Sequence, residues 1–163
     1  MTRREPRPAT IPLDLPVGPC WELEERAVDS TTFLDELPST FPEATDAYFE
    51  GSSIAEDVAQ ILAAHASAGP YLPQRQTIWS TGTITRFRCR FTPSLCQALA
   101  AASEHHAEMD LFDHVFLYAD RCVLLEWPDA FANTMWIAPT ISEARVSAFA
   151  AKLGLPYKYA GHG

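Results

Sequence analysis

The chain is short of glycine, has no paired cysteines and contains no long apolar run, and each shortage closes off a class of function. Its seven glycines build neither a G-x-x-x-x-G-K-[ST] phosphate loop nor a G-x-G-x-x-G turn, so the familiar nucleotide chemistries are disfavoured. Cys20, Cys89, Cys96 and Cys122 form no C-x-x-C pair, which argues against a structural zinc site and a thioredoxin-like redox centre. Cys89 alternates with Phe87 and Phe91 and reads as a small buried hydrophobe. The G-x-S-x-G and S-x-x-K signatures of covalent catalysis are missing too. No stretch approaches the ~20 apolar residues that cross a bilayer. Residues 2–17 are broken by Pro6, Pro8, Pro12 and Pro16, so they lack the apolar core of a secretion signal. The expectation is a soluble cytoplasmic protein with no cofactor and no membrane association.

Basic charge is scarce where acidic charge is dense. Residues 14–57 carry twelve acidic side chains against Arg26 alone, a net of −11. Residues 1–13 are +2 and residues 58–163 balance eight against eight, which gives −9 for the chain. Such a balance disfavours general nucleic-acid binding, which draws on Lys and Arg. It suits a basic protein partner, because an acidic field speeds association with one.

At 163 residues and 47% hydrophobic, the chain is long enough for one sizeable core. Residues 1–19 hold five of the thirteen prolines and read as an extended lead-in. Residues 20–163 read as one domain that includes an irregular acidic arm over 20–52. Within the arm Trp21 and Leu23 alternate like a short strand, while Thr31–Leu37 and Pro42–Glu50 look like short helical turns.

Ser53 and Glu56 suggest a capping box opening the first helix, with Ile54, Val58, Ile61, Leu62 and His65 at helical spacing. His65 reads as a satisfied, partly buried histidine. Thr77–Ser80 and Thr83–Phe91 read as strands separated by Gly82. Thr92 and Pro93 open a second helix ending near Ala107. Strands are expected over His114–Ala119, Cys122–Trp127 and Thr134–Ala138. A T-x-x-E box at Thr140 and Glu143 starts a last helix that Gly154 and Pro156 stop. The pattern predicts an α+β fold: a mainly antiparallel sheet of four to five strands packed with three helices, preceded by the acidic, irregular N-terminal arm.

Three constellations carry chemistry. Arg86, Arg88 and Arg90 alternate along a strand and project from one face, a row suited to a small anion or an acidic peptide. The bland alternative is pairing with Glu126 or with the acidic arm, since surface ion pairs are common. His105, His106, Glu108, Asp110, Asp113 and His114 cluster in sequence with donors suited to a metal, but their spacing matches no known signature. His105 and His106 also suit the last turn of a helix, where a cation meets free carbonyls. Residues 127–136 form an aromatic turn in which Trp127, Phe131 and Trp136 offer either a contact surface or a plug for the core.

The leading reading is a non-enzymatic binding or regulatory protein, an inhibitor, immunity-type protein or adaptor. It would recognise a basic protein partner through Glu22, Glu24, Glu25, Asp35 and Glu36, with Arg86, Arg88, Arg90 and the aromatic turn as further contacts. The competing reading is a small enzyme or anion-binding domain in which the arginines hold an anion and His105, His106 or His114 moves a proton. That reading requires the histidines and arginines to converge.

Overall fold

The computed structural model describes residue 15 and residues 18–24, 26–68 and 84–161. Among them is an α+β arrangement of seven strands and four α-helices. The strands are β1 (Cys20–Leu23), β2 (Asp46–Gly51), β3 (Thr85–Arg90), β4 (His114–Ala119), β5 (Cys122–Trp127), β6 (Met135–Ile137) and β7 (Tyr157–Ala160). The helices are α1 (Ser30–Thr40), α2 (Glu56–Ala64), α3 (Pro93–Ser103) and α4 (Glu143–Leu153), with a 3₁₀ turn at Glu108–Asp110. All seven strands join one antiparallel sheet in the order β3-β2-β4-β5-β6-β1-β7.

Local chemistry sets the helix ends. Asp29 caps α1, its carboxylate accepting from the Thr32 amide at 2.9 Å. Thr92 Oγ1 accepts from the Leu95 amide at 3.1 Å, and Pro93 follows at the first helical position, where its missing N–H costs nothing. Gly154 closes α4 at φ +69°, a left-handed conformation that glycine adopts without a Cβ penalty.

The two faces of the sheet differ. Ala47, Phe49, Cys89, Val115, Leu117, Leu125, Trp127, Met135 and Ile137 pack with Phe33, Leu34, Leu37, Val58, Leu62, Leu99, Val146 and Phe149 of the helices in the main core. The other face holds a separate, smaller cluster of Tyr48, Phe116 and Tyr118 with Val123 beside it, to which none of the described helices contributes.

Several expectations are corrected. Among the described residues the sheet has seven strands rather than four or five, and there are four helices rather than three. Residues 20–52 are no irregular arm, because they supply β1, α1 and β2, and β2 lies inside the sheet between β3 and β4. Residues 46–51 are a strand rather than a helical turn. Burial on both faces removes the alternation that marks a half-exposed strand. No capping box forms at Ser53: its hydroxyl donates to the Met109 carbonyl at 3.0 Å, and α2 begins at Glu56 after Ala55. Ser142, not Thr140, caps α4, and α3 ends at Ser103 rather than near Ala107. The short edge strand β7 was not expected. The strand expected at Thr77–Ser80, the break at Gly82 and most of the lead-in lie outside the described residues.

Candidate functional site

Strand register places nearly every charged group of the sheet on the face opposite α1 to α4. On β3 and β2, Arg90, Arg88 and Arg86 stand opposite Asp46, Tyr48 and Glu50. On β4, Tyr118, Phe116 and His114 continue these three rows. Glu126 lies opposite Phe116, Trp136 opposite Glu126, Glu22 opposite Trp136 and Lys158 opposite Glu22. The arginine stripe therefore meets the acidic stretch. Arg86 Nε donates to Glu50 Oε2 at 3.2 Å, and Arg88 Nη2 donates to Asp46 Oδ1 at 3.2 Å. Tyr48 Oη donates to the same Glu50 oxygen at 2.6 Å. Lys158 approaches Glu22 to 3.2 Å.

This face is closed at its centre. Glu50 is 2% exposed and Glu126 is fully buried, so their charges are tolerable only within a polar network. Burial, followed by the charge of Glu126, pushes the Tyr118 phenol up, while Arg88 acts in the opposite direction. Desolvation, with smaller contributions from Glu22 and Glu126, pushes the Cys20 thiol up to about 11.

Of the three candidate histidines, only His114 comes near the arginines, in the row Arg86, Glu50, His114. Its Nδ1 accepts the Asp129 amide at 2.8 Å, and its Nε2 lies 4.0 Å from Asp129 Oδ1. His106 Nε2 instead pairs with Asp57 at 2.8 Å, on the first turn of α2. His105 is exposed beyond the end of α3. Asp113 Oδ2 accepts from the Ser52 amide at 2.8 Å and from its hydroxyl at 3.1 Å. The histidine and carboxylate residues are thus dispersed. Among the described residues no three His, Cys, Asp or Glu side chains are placed to hold a metal ion. His65 is half-buried, with Nδ1 2.9 Å from the Ile61 carbonyl oxygen.

A second charged region lies where residues 52–57 meet residues 104–113. Besides the Ser53 and His106 bonds, the Ala55 amide donates to the Asp110 carbonyl at 2.8 Å. The two segments carry Glu56, Asp57, Glu104, Glu108 and Asp110, and Met109 between the last two is 64% exposed. Neither residues 27–74 nor residues 91–120 contain a Lys or Arg. The acids here therefore have no Lys or Arg near them in sequence, although His106 pairs with Asp57.

The other acidic candidates divide. Glu24 and Asp35 are exposed. Glu36 lies 3.9 Å from Lys152, Glu22 is engaged by Lys158, and Glu25 lies outside the described residues. The tryptophans of the aromatic turn end on opposite faces. Trp127 sits in the main core with its indole N–H donating to the Asn133 carbonyl, and half-buried Trp136 lies on the charged face. Phe131 is half-buried, its ring 4.8 Å from that of Trp127 and 5.5 Å from that of Phe112.

Sequence reasoning missed Tyr48, Glu50, Tyr118, Met109 and Asp129. A strand over 46–51 would have aligned Asp46, Tyr48 and Glu50 on one face, matching the arginine alternation. Met109 was visible as the one apolar residue between Glu108 and Asp110. No family model, curated protein sequence or solved structure matches this chain, so a functional reading rests on the residues themselves.

Proposed function

We propose that the protein is a non-enzymatic cytoplasmic binding or regulatory module that docks a basic protein surface on the acidic region around Met109. The supporting observation is Met109 itself, a large apolar side chain left 64% exposed between Glu108 and Asp110, on a segment hydrogen-bonded to Ser53 just before the acidic start of α2. Methionine is enriched at interface cores, and a surrounding acidic rim steers a basic partner and excludes acidic ones. This reading moves the contact away from much of residues 22–57, because Glu22, Asp46 and Glu50 already face Lys158, Arg88 and Arg86 inside the fold.

The test is affinity capture at physiological salt with the intact chain and with a Met109→Ala, Glu104→Gln, Glu108→Gln variant, followed by titration of any recovered protein. One basic partner, lost with the variant and bound less tightly as salt screens the charges, supports the reading. A partner held equally by both chains, or insensitive to salt, defeats it.

A second reading, a small enzyme or binding domain for an anion, is favoured by one observation: Arg86, Glu50 and His114 stand side by side. Against it, Glu50 and Asp46 already occupy Arg86 and Arg88. Phosphate titration followed by NMR distinguishes the two, since the second reading requires saturable shifts on β3.

A further inference from the structure

We infer that His114 is a proton-operated latch on the turn formed by residues 128–133. A backbone amide can only donate, so the 2.8 Å contact from the Asp129 N–H to His114 Nδ1 requires that nitrogen to be unprotonated. The neutral ring must carry its proton on Nε2. Protonation to imidazolium places a second hydrogen where the amide already points, and the contact is lost.

The turn is one that needs holding. Asp129 has φ +44° and Phe131 φ +70°, left-handed conformations that side chains other than glycine rarely adopt, and such outliers persist only where their surroundings enforce them. The other ties are the Ala130 amide to the Asp113 carbonyl at 2.7 Å, the Ala132 amide to the Asp129 carbonyl at 3.0 Å and the Trp127 indole to Asn133. Two of the four ties thus run to the adjacent residues 113 and 114. Phe131 rides on this turn and is held against Phe112 and Trp127.

Several charged groups face His114 among the described residues. On β2, Glu50 is its register partner and is buried. On β3, Arg86 neutralises part of that charge. On the turn, the Asp129 carboxylate lies 4.0 Å from Nε2, and Asp113 precedes His114 in the chain. Because the closed turn admits only neutral His114, its stability is present at high pH and is lost as pH falls. Opening frees Phe131 from its two aromatic neighbours and presents it to solvent.

The experiment uses the intact ¹⁵N-labelled chain. Between about pH 8 and about pH 5, where an imidazole exchanges its proton, hydrogen-exchange protection at the Asp129 amide should fall about tenfold per pH unit once His114 titrates. The ring resonances of Phe131 should shift in step. At about pH 8 the His114 nitrogens should report the Nε2–H tautomer. In His114→Asn the side-chain oxygen can accept the same N–H but takes up no proton, so protection should stay flat across the range. An Nδ1–H tautomer at about pH 8 overturns the latch. So does unchanged Asp129 protection while His114 titrates, or the same loss in His114→Asn. The tautomer measurement decides the matter in the wild-type chain even if the variant fails to fold.

Discussion

Tyr48 and Glu50 stand two residues apart on one face of β2, and the tyrosine hydroxyl donates to a carboxylate oxygen that Arg86 also binds. Glu50 is almost entirely withdrawn from water, and a hydrogen bond to a charged buried group is worth more than a neutral one. Tyr48→Phe should therefore cost about 1–3 kcal/mol, measured by urea denaturation. No change would show that the phenol contributes packing alone.

The two arginine pairs should differ in worth. Arg86 is 51% exposed but its partner Glu50 only 2%, so Arg86→Ala strands a buried carboxylate and should cost about 3–4 kcal/mol. Arg88 and Asp46 are 18% and 15% exposed, and Arg88→Ala leaves a poorly solvated carboxylate. A loss of about 2–3 kcal/mol is expected, between the exposed and fully buried limits. Equal losses in denaturant titrations would mean that burial does not set their value.

Thiol reactivity should single out one cysteine. Burial pushes Cys89 and Cys96 up to about 12, and Cys20 rises to about 11, so at about pH 8 these three carry little thiolate, the reactive form. Cys122 is exposed. A chromogenic disulfide should report one fast thiol per native chain, and Cys122→Ser should abolish that phase. Fast reaction of a second thiol would mean that the core opens more readily than its burial implies.

Acid should loosen the ends of α1. Hydrogen bonds from Thr32 hold the Asp29 carboxyl below its ordinary value, and those from Arg145 do the same for Glu43. Arg145 also donates to the Thr40 carbonyl at the C-terminal end of α1. A lowered carboxyl contributes stability above its unfolded value and loses it as pH falls through the folded value. Asp29→Asn keeps a capping oxygen and Glu43→Gln keeps the side-chain shape, but neither titrates. The double variant should show a shallower fall in melting temperature between about pH 6 and about pH 3 than the parent. An identical pH profile would contradict this account.

What could be read ahead of the structure was local. The limits expected for β4 and β5 agree with those observed, and Thr92, Pro93 and Gly154 act at their helix ends as their chemistry suggests. What could not be read was set by distant partners. Asp46 and Glu50 carry no local sign of their partners, because Arg88 and Arg86 lie 42 and 36 residues away along the chain, and only the β2–β3 register joins them. Ser53 had every local feature of a cap, yet its hydroxyl is engaged by Met109, 56 residues on. β7 offered four residues of modest alternation after Pro156, too few to outweigh a loop reading. The arginine alternation marks a strand face, but whether that face turns outward or toward the acids depends on β2, whose own sequence reads as a helical turn.

The sheet order also bears on how the chain acquires its shape. β1 is the first of the described strands in chain order, yet both its neighbours, β6 and β7, come late, and the Trp21 indole bonds to Ile141 across 120 residues. Closing so long a loop costs entropy before any contact repays it, which slows assembly. β2 to β5 can pair as a contiguous block while β1 waits with both edges open. The fluorescence of Trp21 should therefore mark a late event in refolding, and a chain halted before residue 135 should expose an unsatisfied strand on which chaperones or other copies can act.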